Sequence, residues 1–228
     1  MSDLSEYDLS RVALFPLPGV VLFPRAVLPL HIFEQRYRAM TADALVGDKL
    51  IVMALLRPGW QKSYYGRAEI EPVVCIGKIL SHEMLADGKY NFLLQGQIRA
   101  RVVEEIIDPE RPYRTARLAR LEELPTSESD LEPQRRRLGE LFAGNAPLGR
   151  SGTGAQFRQI VRDGVLSTAD VADVAAFTFL ECAELKQSLL ADGDVRARVE
   201  RTIEALQRVG AALPQMMNIS APPDPSMN

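Results

Sequence analysis

The sequence predicts an α+β protein: a curled, β-rich first domain followed by an α-helical bundle. Three observations carry this. Up to about residue 124 the apolar residues fall in short branched-aliphatic or alternating runs, and beyond it they recur at helical spacing. Gly96 interrupts the longest alternating run, the mark of a bulge or sharp bend that curls a sheet. A turn-rich linker, "LPTSESDLEP" (Leu124 to Pro133), separates the two regimes.

The chain enters through its most apolar stretch, "VALFPLPGVVLFPRAVLPLHIFEQRYRAM". Arg25 is the only charge between Val12 and Leu30. A membrane helix does not fit, because Pro16, Pro18, Pro24 and Pro29 fall inside it. Each interior proline costs a helix about 3 kcal/mol or more, and the freed carbonyls would need partners within the bilayer. A secretory leader does not fit either, since Asp3, Glu6 and Asp8 precede it against a single Arg11. The prolines instead cut the run into short strands and bends.

A helix follows over "FEQRYRAMTADALVGD", with Phe33, Tyr37, Met40 and Ala44 on one face and Gly47 as its stop. "KLIVMALL" (Lys49 to Leu56) and "IEPVVCIGKIL" (Ile70 to Leu80) read as strands. Asp87 and Gly88 make a hairpin turn into "KYNFLLQGQIRARVVEEII". Within that run Tyr90, Phe92 and Leu94 alternate, and after Gly96 so do Ile98, Ala100 and Val102. "YRTARLARLEEL" reads as a charged edge strand.

After the linker, Leu131, Leu138, Leu141 and Phe142 share a helical face, as do Phe157, Ile160 and Val161. "STADVADVAAFTFLECAELKQSLLAD" opens on a cap at Ser167 or Thr168, with Asp170 near the positive helix end. Val195, Val199, Ile203 and Leu206 form the stripe of a last helix. The organisation is thus a β-rich domain over 1–124, a four- or five-helix bundle over 125–213, and an irregular tail over 214–228 expected to be mobile.

The 228 residues are 46% hydrophobic and 25% charged, ordinary globular composition. A net charge of −3 and a pI near 5.6 provide no global basic field for nucleic acid or an anionic membrane. Cys75 and Cys182 lie far apart in apolar surroundings and suit buried free thiols, so a cytoplasmic location is expected.

Familiar chemistry finds little support. "GRSGTGAQF" (Gly149 to Phe157) precedes a helix but lacks the lysine of a phosphate loop, so a flexible connection is the better reading. His31 and His82 are the only histidines, and neither is spaced with Cys75 or Cys182 as metal ligands. No serine stands in a G-x-S-x-G setting, and Lys186 with Ser188 would face different sides of a helix. "QRRRL" and "YRTARLAR" lack the aromatic interleaving of an RNA surface and read as solvated faces. The loop "RPGWQKSYYGRAE" (Arg57 to Glu69) is more suggestive. Its Trp60, Tyr64 and Tyr65 lie between two strands in a polar, glycine-broken segment. Such aromatics either form a recognition surface or cap an open barrel end and pack on the helical part.

"LFPLPGVVLFPRAVLPLHIFEQRYRAM", with Gly77, the "DGKY" turn at Gly88 and "LLQGQIRARV" containing Gly96 and Arg99, resembles the amino-terminal substrate-binding domain of the Lon protease family. The residues that carry the motif are Pro16, Pro24, Pro29, Leu30, Phe33, Glu34, Arg36, Tyr37, Gly77, Gly88, Gly96 and Arg99. The later "DVAAFTFLECAELKQSLLADGDVRARVERTIEAL" resembles the helical subdomain that follows it, so the likeness runs from about Arg11 to Leu213. The resemblance implies a PUA-like β-domain, a pseudo-barrel with one or two inserted helices, packed on a helical bundle. It implies recognition of unfolded or tagged polypeptides and a part in assembly. No G-x-x-x-x-G-K-[ST] loop occurs, and the chain is too short for the AAA+ and serine–lysine protease domains. A standalone, non-enzymatic recognition domain is therefore expected, with no catalytic residue, metal or cofactor.

Glu34, which matches the family's glutamate at this point, is expected to cap the helix start or to pair with Arg36, Arg99 or Arg101. The protein's partner in the leading reading is an unfolded or extended polypeptide. The expected contacts are Phe23 and Pro24 as the floor of an apolar groove or sheet edge, with Trp60, Tyr64 and Tyr65 at its rim. Two alternatives stand beside it: an RNA- or nucleotide-binding module, and an oligomerisation or adaptor protein partnering itself or a separate Lon-type protease.

Overall fold

The computed structural model describes residues 8–219. In chain order it runs β1 (Val12–Leu17), β2 (Val27–Ile32), α1 (Gln35–Val46), β3 (Leu50–Leu55), β4 (Val73–Met84), β5 (Tyr90–Ile106), β6 (Arg114–Arg120), α2 (Glu132–Leu141), α3 (Gly152–Asp163), α4 (Thr168–Phe179), α5 (Ala183–Leu190) and α6 (Val195–Ile219). Two compact units result. The first joins the chain up to Glu123 with Glu181–Gly193, and the second joins Leu124–Leu180 with the chain from Asp194 onward. The expected α+β class, a curled sheet followed by helices, is the one observed.

In the first unit the sheet order is β2-β5-β4-β3-β1-β6, and β5 also pairs with β6. Five strands therefore close on themselves, while β2 extends the sheet along the first half of β5, from Tyr90 to Gln95. The 17-residue β5 serves both tasks because its register shifts at Gly96. The interior is filled by Val12, Leu14, Val52, Ala54, Val74, Ile76, Ala100 and Leu118. These are alternate residues of their strands, as a pleat requires.

The prolines sit where a missing N–H does least harm. Pro16 lies in β1 opposite Ala54 of β3, past the point at which pairing with β6 ends at Leu14. Pro29 lies in the terminal strand β2. Pro24 begins a tight turn in which the Ala26 amide donates to the Phe23 carbonyl, at 3.2 Å. Arg25 follows Pro24 with a left-handed φ of 65°, the pattern of a type II turn that would ordinarily favour glycine.

Three expectations change here. β6 is not an edge strand, since it pairs with β1 on one side and β5 on the other. Its arginines are matched across the ladder: Arg114 Nε donates to Glu105 at 2.9 Å and Arg117 Nε to Glu104 at 3.0 Å. Phe33 does not share the buried helix face. It precedes α1, whose first residue is Gln35, and is 60% exposed, while Tyr37, Met40 and Thr41 are buried. Helical spacing assigns Glu181–Gly193 to the bundle, but these residues group with the sheet. The chain leaves helical geometry at Leu180 and restarts α5 with Cys182 as its cap, the sulfur accepting from the Leu185 amide at 3.5 Å.

In the second unit α2, α3, α4 and α6 surround Leu131, Leu138, Phe142, Phe157, Val171, Ala175, Val199 and Ile203. Phe142, Phe157 and Phe179 form an aromatic triangle with centroids 5.0–5.2 Å apart. The α6 helix runs past residue 213, so the expected tail begins later; residues 220–228 lie outside the described residues. Among the described residues no helix is long and apolar enough to cross a membrane.

Candidate recognition site

The aromatic loop is built on the connection between β3 and β4. Its neck is zipped by the Leu56–Ile70 bridge and by hydrogen bonds from the Arg57 amide to Glu69 and the Glu71 amide to Leu55, both 2.9 Å. Gly59, at φ 88°, turns the chain into a short 3-10 turn over Trp60–Ser63. Trp60 meets the edge of Tyr64 at a centroid distance of 5.3 Å, and Tyr64 meets Tyr65 at 5.2 Å. Trp60 and Tyr64 are half-buried, whereas Tyr65 is 89% exposed.

Behind these rings stands Arg36, on the first turn of α1. Its guanidinium carbon lies 4.5 Å from the Tyr37 ring centroid, 4.8 Å from that of Tyr64 and 5.7 Å from that of Tyr65. Its Nη1 donates to the Tyr64 carbonyl at 3.2 Å, and its Nε to Glu34 at 3.1 Å. The other Glu34 oxygen accepts the Tyr64 hydroxyl at 2.7 Å. Glu34 occupies the cap position of α1 but makes no side-chain cap bond, so of the expected roles it takes the pairing with Arg36. Burial first, and the hydrogen bond to Glu34 second, raise the Tyr64 phenol above its ordinary value, so it stays a neutral donor at physiological pH. Burial likewise raises Tyr37, which packs on Phe15 at 4.5 Å.

On the far side of Trp60 lies a groove of about 480 Å³. Leu55, Leu56, Pro72 and Val73 supply apolar lining, Trp60 and Pro58 line one side, and α5 with its capping residue lines the other through Ala183, Gln187 and Ala191. Two buried side chains hold α5 in place. Gln187 Nε2 donates to the Val73 carbonyl at 2.8 Å, and Arg99 Nε donates to the Leu190 carbonyl at 3.1 Å. The charged residues of the lining are Glu71 and Glu184. The Glu184 carboxyl is held below its usual range by its own backbone amide and the Cys182 thiol.

The structure thus brings Trp60, Tyr64 and Tyr65 together with Glu34, Arg36 and Tyr37. It does not bring Phe23 and Pro24 to them as a floor. Both are buried, Phe23 completely, because the Pro24 turn folds back onto β5. Arg25 donates to the Gly96 carbonyl at 2.8 Å, and the Gly96 amide donates to Ala26 at 2.9 Å. Of the two thiols Cys75 is buried, but Cys182 is exposed at the start of α5. Sequence reasoning missed Gln187 and the whole α5 wall, since a helical stripe does not reveal which unit a helix serves.

The other candidate chemistry dissolves into packing. Ser151 caps α3 by accepting the Gly154 amide at 2.9 Å. A Cβ on Gly149 or Gly154 would overlap a backbone carbonyl, so these two glycines are packed, while Gly152 between them faces open space. His31 and His82 line a shallow cleft beside β2, where His31 Nδ1 and Asn91 Oδ1 lie 2.7 Å apart. Among the described residues no three His, Cys, Asp or Glu side chains gather as metal ligands.

Comparison with known proteins bears on this geometry. Residues 11–208 match the family model of the ATP-dependent protease La (LON) substrate-binding domain. The chain is 25% identical over 198 residues to the Lon protease of Desulfosudis oleivorans and 27% identical over 214 residues to Lon protease 2 of Myxococcus xanthus. Those alignments cover 86% and 90% of this chain but 23% and 24% of the relatives, so the chain spans about a quarter of their length. Among solved structures, the N-terminal domain of the Mycobacterium avium complex Lon protease superposes with a TM-score of 0.67 at 17% identity, covering 87% of this chain and 98% of that one. A Lon N-terminal domain protein from Xanthomonas campestris gives 0.63 at 20% identity, over 86% and 98%. The closed sheet with its β2 extension, the following helices and the match over residues 11–208 place this chain in the family of the Lon substrate-binding domain.

Proposed function

We propose that this protein is a non-enzymatic, cytoplasmic recognition module that binds extended apolar polypeptide segments in the groove between Trp60 and α5. The groove itself carries the reading: a lining of Leu55, Leu56, Val73 and two prolines, edged by the chain's single tryptophan. An unfolded chain offers apolar side chains that a folded one has buried, so such a surface discriminates by accessibility. The charge of the lining sharpens the class. Glu71 and Glu184 line it and no lysine or arginine does; Glu71 already pairs with Arg57 at 3.3 Å, so Glu184 carries the preference. Segments in which a bulky apolar residue is flanked by lysine or arginine are therefore favoured over acidic ones. The same acidity argues against RNA as the ligand. The cytoplasmic placement rests on Cys75 and Cys182 standing outside any disulfide.

The test is fluorescence anisotropy of labelled peptides of about ten residues, long enough to lie extended in a groove. One carries Leu and Phe flanked by lysines, and the other has the lysines replaced by glutamates. Wild type should bind the basic peptide more tightly, and Trp60→Ala should weaken that binding about 10- to 30-fold, the range for truncating an aromatic anchor. Equal binding by wild type and Trp60→Ala would remove the groove from the account.

A further inference from the structure

We infer that Glu34 and Arg36 are positioning residues for the recognition loop: a clasp on α1 that fixes the Trp60 wall of the groove. The inference rests on the groove reading for its effect on binding, but the clasp itself is a property of the free protein.

Five contacts converge on one point. Arg36 donates to the Tyr64 backbone carbonyl, holding the chain, while its guanidinium plane meets the Tyr64 and Tyr65 rings. Glu34 accepts the Tyr64 hydroxyl with one oxygen and Arg36 with the other, so Tyr64 is gripped at both ends, its hydroxyl by the carboxylate and its backbone carbonyl by the guanidinium. The next link outward is the edge contact from Tyr64 to Trp60, and beyond Trp60 is the groove. The turn that carries Trp60 does little to hold itself: it is four residues long, without a side-chain cap, and buries no residue. The loop's other ties grip its neck, through the Arg57 amide on Glu69 and the Arg57–Glu71 ion pair, and its far end, through Arg114 on the Ala68 carbonyl and Arg67 on Glu105. A turn with so few contacts of its own is ordered by what fixes it from outside. Arginine suits the task better than lysine, because a planar fork can accept ring stacking and donate to a carbonyl and a carboxylate together. The clasp explains why the "EQRY" of α1 and the aromatics nearly thirty residues later belong to one device, and why a wall that must meet a variable ligand can still be rigid.

The chain's single tryptophan reports directly on the device. With the free protein, Arg36→Ala should shift Trp60 emission to the red and raise its quenching by acrylamide as the turn comes away from α1. Tyr64→Phe, which removes one hydroxyl and keeps the ring, should do the same to a smaller degree. Arg36→Lys should restore only part of the wild-type signal. Binding of the lysine-flanked peptide should weaken roughly tenfold in Arg36→Ala, corresponding to the lost cation–ring contacts and hydrogen bonds that hold the wall. If wild type fails to bind that peptide, the groove reading falls while the emission measurement still decides the clasp. Should Arg36→Ala unfold, Tyr64→Phe carries the decision alone. Wild-type emission and quenching in Arg36→Ala, or in Tyr64→Phe where Arg36→Ala does not fold, would overturn the inference.

Discussion

Replacing Gly96 by alanine tests how the proline-rich entry is locked to the barrel. The φ of Gly96 is not in the left-handed region, so backbone freedom is not the issue; space is. A Cβ built there would overlap the Phe23 carbonyl oxygen, lie 2.7 Å from its carbon and lie 3.1 Å from the Cys75 sulfur. Ordinary contact begins at 3.4 Å, so the Phe23 carbonyl, whose oxygen is the nearest atom, must retreat by more than about 1 Å in a region packed to crystalline density. That retreat pulls on the two backbone hydrogen bonds that tie Arg25 and Ala26 to Gly96. Overpacking costs about 1–3 kcal/mol, and each weakened hydrogen bond adds about 0.5–1.5 kcal/mol. The expected loss is about 3–5 kcal/mol. Urea unfolding followed by Trp60 fluorescence reads the first unit specifically. With a slope of about 2 kcal/mol per molar, the midpoint should fall by roughly 2 M. A midpoint within about 0.3 M of wild type, well inside one hydrogen bond's worth, would refute the steric reasoning.

The same construction predicts the opposite sign elsewhere. A Cβ at Gly139, inside α2, would meet only Val161 at 3.7 Å, so Gly139→Ala should stabilise the second unit by up to about 1 kcal/mol through helix propensity, measured by thermal unfolding. Glu128 accepts the Thr168 amide at 3.0 Å and Arg135 at 3.1 Å. Burial pushes its carboxyl up, but these bonds outweigh it, and the net value lies below the ordinary 4.5. A depressed folded-state pKa means stability that is present above the unfolded value and is lost as pH falls through the folded one. Glu128→Gln should therefore cost about 1 kcal/mol at neutral pH, the scale of a lost cap discounted for exposure, and the gap to wild type should close as the pH falls below the ordinary 4.5 and through the lowered folded value, in acid titrations followed by circular dichroism.

What could be read from sequence was what depends on local pattern. Alternation, the Gly96 break and the Asp87–Gly88 turn gave the strands β4 and β5 and their hairpin, because pleat and turn chemistry act over a few residues. Closure of the barrel was not legible. An arginine-rich strand reads as an edge until Glu104 and Glu105 of the preceding strand are known to face it, and that register passes through an irregularity between Val102 and Glu104. The fate of Phe23 was hidden for a related reason: hydropathy says that a residue avoids water, not whether a turn will fold it under β5 or leave it for a partner. The aromatic loop was singled out from composition, but its anchor was not, since Arg36 and Tyr64 are separated by an entire strand.

The juxtaposition of Arg36 and Tyr37 shows how a fold motif can also make a site. Neighbours on a helix point about 100° apart, so the first turn of α1 can direct Tyr37 against Phe15 in the core and Arg36 towards the Trp60 loop. The core contact fixes the helix, and the fixed helix fixes the guanidinium. Whatever rigidity Trp60 has is thereby borrowed from the barrel, through one helical turn and one tyrosine, rather than supplied by the loop. Wall stiffness and barrel stability should then be coupled in one direction. Loosening the barrel at Gly96 should loosen the loop, whereas releasing the clasp at Tyr64 should leave the barrel's unfolding midpoint in place.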